Sequence, residues 1–110
     1  MTLNQYQEAA QRTSNTTTSH DKILNGLLGL FGEGGECADI YKKFLYQGHP
    51  LDKNHIKKEL GDVLWYISET ASGLGCTLDE IGQMNIDKLK ARYPFKFDPE
   101  KSMHRAEGDL

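Results

Sequence analysis

The chain has 110 residues, with 13 Lys plus Arg against 16 Asp plus Glu, a formal net charge of −3 and 37% hydrophobic residues. That length makes one domain with a modest core, and the low apolar share creates the expectation that a partner subunit completes it. The charge balance offers no field for a polyanion, which excludes a nucleic-acid-coating protein, and no stretch of 18 apolar residues is present to cross a membrane.

The opening MTLNQYQEAAQ carries neither a basic segment nor an apolar one, so a soluble, unexported, cytoplasmic protein is expected. Cys37 and Cys76 lack CxxC spacing and are read as reduced structural thiols. Four segments with helical periodicity follow in order. Thr2 and Gln5 have capping-box spacing at the head of a short helix whose apolar stripe is Leu3, Tyr6, Ala9 and Ala10. Residues 13–19, TSNTTTS, compete for backbone hydrogen bonds and make a loop. A long helix is expected over about 20–47, with Ile23, Leu24, Leu27, Leu28, Phe31, Ala38, Tyr41 and Leu45 in steps of three and four; Gly48 and Pro50 stop it.

Asp52 caps a third helix running to about Leu74, its core side including Leu60, Val63, Leu64, Ile67 and Ala71. Thr77 and Glu80 repeat the capping-box spacing before a fourth helix that reaches Arg92 and stops at Tyr93-Pro94. The tail, 95–110, is expected to be irregular. One all-α domain over 1–110 results: a four-helix protomer whose helices assemble into a bundle with a partner subunit, as a homodimer or homotetramer.

Chemistry concentrates in the two long helices. Five glycines fall in ten residues, at 26, 29, 32, 34 and 35, each costing about 1 kcal/mol relative to Ala in a helix interior. Either another helix or a ligand therefore comes close to this backbone, or the segment breaks in two. Within it, Glu33 and Glu36 are three apart and share a helix face; Glu59 and Asp62 repeat that spacing on the return leg of an antiparallel hairpin. Four converging carboxylates need cations, and an all-oxygen set selects Mg²⁺, with Mn²⁺ as a substitute, over zinc. Lys43 lies two turns beyond Glu36, and Asn85, Lys88 and Arg92 fall on one face of the fourth helix, a set suited to a chain of phosphates. Trp65 and Tyr66 follow Asp62 closely enough to wall a base pocket, although core packing explains such aromatics as well.

At these residues the sequence resembles the MazG-like family of all-α nucleoside triphosphate pyrophosphohydrolases. LLGLFGEGGE over 27–36 followed by Lys42-Lys43, ELGDVLWY over 59–66, and NIDKLKARYP over 85–94 are similar to its three motifs. The resemblance implies Mg²⁺-dependent cleavage of an NTP or dNTP between the α- and β-phosphates, with Glu33, Glu36, Glu59 and Asp62 as ligands, or one of them as the base instead, and Lys43, Asn85, Lys88, Arg92 and Trp65 toward substrate. The alternative from another class is a non-catalytic helical dimer that senses a nucleotide or metal. A di-iron bundle would need ExxH motifs, which this chain lacks.

Overall fold

The computed structural model describes residues 1–110 and contains helices and no strand: α1 (Leu3–Gln11), α2 (Ser19–Tyr46), α3 (Lys53–Gly73), α4 (Leu78–Arg92) and α5 (Pro99–Met103). No helix is long and apolar enough to cross a membrane.

Helix boundaries follow local chemistry. Thr2 Oγ1 accepts from Gln5 N and Gln5 Oε1 accepts from Thr2 N, closing the expected capping box of α1. Thr18 and Asp52 cap α2 and α3 by accepting from Asp21 N and His55 N. At the end of α3, Gly75 takes the left-handed conformation (φ 73°), Gly75 N donates to Ser72 O and Cys76 N to Ala71 O, a geometry that satisfies the last carbonyls and suits glycine alone without strain. The tail departs from the expectation of irregular chain: Asp98 accepts from Glu100 N and Pro99 occupies the first turn, where a missing N–H costs nothing, so α5 forms.

Two compact units divide the chain, Met1–Leu78 and Asp79–Leu110. In the first, α2 and α3 make an antiparallel hairpin: Ile23 meets Gly73, Gly26 meets Thr70 and Gly29 meets the ring of Tyr66. The glycine run therefore divides in two. A Cβ at Gly26 would fall on Thr70 Oγ1 and 2.8 Å from Thr70 N, and one at Gly29 would fall on the Tyr66 ring, so these two glycines set the helix separation. Gly32, Gly34 and Gly35 face open space, and α2 runs through them unbroken. Gly26→Ala is accordingly expected to lose about 1–3 kcal/mol, the usual cost of overpacking a close contact, although Ala is the better helix former; a thermal melt unchanged or raised would contradict this.

Burial is sparse among apolar side chains and surprising among polar ones. Ala10, Ala71 and Leu78 are buried, and so are Gln7, Ser68 and Glu69. Gln7 ties α1 to the end of α3 and the turn after it by donating to Ser72 Oγ and Cys76 O and accepting from Leu78 N. Glu69 is fully buried, accepting from Ser14 Oγ (2.8 Å), Asn25 Nδ2 (2.9 Å) and Thr16 Oγ1 (3.2 Å), with Lys22 Nζ at 3.4 Å. It pins the 13–18 loop between α2 and α3. Leu60, expected in the core, is 54% exposed, and Leu27, Leu28 and Phe31 are also exposed, because a two-helix hairpin has room on only one side of each helix.

Candidate metal centre

Glu33 on α2 and Glu59 and Asp62 on α3 come together across the hairpin, each offering an oxygen within 4.8 Å of the others. The antiparallel pairing that seats Gly29 on Tyr66 carries Glu33, one turn later, to the level of Glu59 and Asp62. Glu59 Oε1 is 3.2 Å from His55 Nε2, one turn back on α3. Glu33 Oε2 and Glu59 Oε2 are buried with no hydrogen-bond partner.

Such an arrangement holds a shared proton or a cation. Without a cation, Glu33 is pushed up to about 7, first because its proton bridges to Glu59, then by burial and by the charges of Glu36, Glu59 and Asp62. Glu59 is correspondingly held below the usual carboxylate range by that same bridge, against burial and with help from Glu36 and His55. Two orphaned buried carboxylate oxygens beside a third carboxylate fit a hard divalent ion, whose all-oxygen preference they match.

Glu36, named with these three from its spacing, lies on the same face and close enough to influence Glu33 and Glu59, but its carboxylate stands outside the converging triplet. Lys43 does not reach back toward Glu36; its Nζ is 2.8 Å from Asp39 Oδ2, with Lys42 3.5 Å from the same side chain. Trp65 and Tyr66 are half-buried, packed edge to face with centroids 5.1 Å apart, and line with Glu33 and Asp62 a cavity of about 330 Å³. Trp65 is oriented by its Nε1, which donates to Thr13 Oγ1 (2.8 Å) and Ala10 O (3.2 Å).

Three neighbours escaped the sequence. Tyr6 on α1 is near enough that burial and the charge of Asp62 push its hydroxyl up, and its place in the apolar stripe of α1 gave no sign of this. Cys37 is half-buried and its thiol is raised by burial and by Glu59 and Glu33; one residue beyond Glu36, it was foreseeable only as a flanking position. His55 stands four residues before Glu59, a helical spacing that does predict contact.

In the second unit, Asn85, Lys88 and Arg92 share a face of α4 and line a cavity of about 810 Å³ together with the tail. Arg92 is engaged there: Nε and Nη2 donate to the two carboxylate oxygens of Asp109 at 2.8 and 2.7 Å.

Gene 37 protein of Mycobacterium phage L5 is 36% identical over 69 residues, which cover 59% of this chain and 60% of that protein, so the chain spans less than two thirds of its relative. No solved structure matches. Residues 20–97, which hold both carboxylate pairs and the α4 stripe, match the family described as MazG nucleotide pyrophosphohydrolase domain, and the chain belongs to that family.

Proposed function

We propose that the chain hydrolyses a nucleoside triphosphate or deoxynucleoside triphosphate between its α- and β-phosphates, with Mg²⁺ as the cofactor, giving the monophosphate and pyrophosphate. The observation that supports this most is the meeting of Glu33, Glu59 and Asp62 with two buried oxygens that lack donors, inside the family's matched region. These three would hold the ion. When bound, Mg²⁺ supplies positive charge to the phosphate oxygens and makes a water more acidic.

The chain's own residues do the rest in this reading. Glu36, beside the triplet, accepts the proton of the attacking water. Trp65 and Tyr66 present the wall of the adjoining cavity to the nucleoside, Trp65 being held by Thr13 and Ala10 and so pre-oriented. Asn85, Lys88 and Arg92 are the groups offered to phosphate oxygens, and Lys43, tied to Asp39, is a weaker contributor. Lys88→Ala is expected to lower kcat/KM for triphosphates while leaving Mg²⁺ affinity nearly unchanged, which paired kinetics and calorimetry check. A nucleotide pool of the cytoplasm is the setting that this chemistry serves.

A second copy of the chain covers the apolar face of α2, where Leu27 is 52%, Leu28 66% and Phe31 87% exposed. Light scattering is expected to give at least twice the 12.4 kDa of one chain, as a dimer or a dimer of dimers; a monomer at micromolar concentration contradicts it. The activity itself is tested with a panel of NTPs and dNTPs in Mg²⁺: pyrophosphate and a monophosphate are expected. Orthophosphate release, or nucleotide binding without turnover of any member, overturns the proposal, the latter in favour of a sensing protein.

A further inference from the structure

Asn85 and Lys88 of the α4 stripe are exposed, but Arg92 is not a free cation. Arg92 and Asp109 form a two-pronged ion pair, with side chains only 10% and 15% exposed, and Arg92 Nη2 also reaches Leu110 O at 3.5 Å. The tail arrives there by a turn: Asp109 N donates to Ala106 O at 3.1 Å and Gly108 takes a left-handed conformation (φ 83°) that a side chain would strain. Positive charge surrounds the seat. Arg92 first, then Arg105 and Lys88, hold the Asp109 carboxyl below the usual carboxylate range against the effect of burial, and Lys101, His104 and Glu107 also line the same cavity.

A carboxylate bound through both oxygens to a guanidinium presents the same planar pair of acceptors as two oxygens of a phosphate group, and Arg recognises the two by the same fork. We propose that Asp109 is an internal mimic of the substrate's phosphates: its carboxylate occupies the seat on Arg92 that a polyphosphate takes, so an anionic substrate gains that seat only by releasing the tail. This rests on the pyrophosphohydrolase reading for the identity of the substrate, but the competition is between anions and holds for any polyphosphate. The carboxylate carries one charge and a triphosphate several, so the multiply charged ligand wins the exchange and a weakly charged one does not. Asp109 thereby raises KM for all polyphosphates and discriminates against singly charged anions.

Two measurements test this. In steady-state kinetics with a hydrolysed triphosphate, Asp109→Asn is expected to lower KM about three- to tenfold with kcat nearly unchanged, since the amide keeps the shape and removes the competing charge. An unchanged or raised KM overturns the proposal while leaving the catalytic reading intact. In wild-type protein, titration with inorganic tripolyphosphate followed by amide NMR is expected to shift Gly108 and Asp109 and to increase their mobility, and tripolyphosphate is expected to bind D109N more tightly than wild type. Tail amides that stay in place at saturation, or equal affinity for the two proteins, overturn it. These binding arms need no turnover, so loss of the hydrolase reading and loss of the mimic are separately visible.

Discussion

Asp62→Asn is expected to lower kcat/KM by about 100-fold or more, the order that loss of one preorganised charged group costs at a reacting centre, while the variant melts no earlier than the wild type. Asp62 is exposed and makes no hydrogen bond that holds the fold; what it contributes is one of three oxygens converging across the hairpin. Removing its charge relieves repulsion on Glu33, whose upward shift has Asp62 among its causes, so stability is maintained or gained as activity falls. The same opposition is expected for Glu36→Gln. A melt beside a rate for each variant checks it: near wild-type rates, or unfolding in parallel with lost activity, would remove these carboxylates from the centre.

The opposite signature is expected at Glu69. Glu69→Ala leaves Lys22 facing a cavity and deprives Asn25, Ser14 and Thr16 of their common acceptor, and breaking a buried pair in this way costs about 3 kcal/mol, the lower end for such losses because Lys22 retains some water. The pH dependence follows from the direction of its shift. Burial raises the Glu69 carboxyl, but Asn25, Ser14 and Lys22 outweigh it and leave the folded value below the ordinary one. Its stabilisation is therefore complete above the unfolded carboxylate value of about 4.3 and is lost as pH falls through the folded value. Urea midpoints measured between neutral and acid pH are expected to fall in the wild type below that point and to fall less steeply in Glu69→Gln, which has no charge to lose. Identical acid limbs would show that the ionised form is not what the network stabilises.

Glu69 also shows where sequence reasoning stops. Periodicity places it on the continuation of the Glu59–Asp62 stripe, and nothing in that spacing distinguishes a residue that faces two carboxylates from one enclosed by four donors. Two donors, Ser14 and Thr16, come from a loop whose hydroxyls read only as polar, and two, Lys22 and Asn25, from the first turns of α2. Helix starts were legible because a cap is a local event: Thr2 with Gln5, Asp52 before Lys53, Gly75 after the last turn of α3. The same logic was available for α5 in Asp98-Pro99, though the lack of apolar period over so short a segment hides it. Glycine was ambiguous for a different reason. Gly26 and Gly34 look alike in a helix, and only the partner opposite, Thr70 in one case and open space in the other, separates a packing need from none.

The carboxylate centre was legible as far as spacing within each helix determines it. Two pairs three apart on antiparallel legs place Glu33, Glu59 and Asp62 together, and the hairpin register does so; which of the four would stand aside depends on side-chain direction, and Glu36 is that one. The α4 stripe was legible as a surface. Its occupation by Asp109 was not, because the contact joins residues 17 apart through a turn that only Gly108 marks.

The most direct measurement is calorimetric titration of Mg²⁺, with Mn²⁺ as a second probe, into the metal-free protein and into Glu33→Gln, Glu59→Gln and Asp62→Asn. Wild-type binding that is lost or weakened at least tenfold in each variant, with melts showing all four proteins folded, is the result expected of a site built from Glu33, Glu59 and Asp62. Binding of undiminished affinity in those variants, or none in the wild type with or without a triphosphate present, would contradict it.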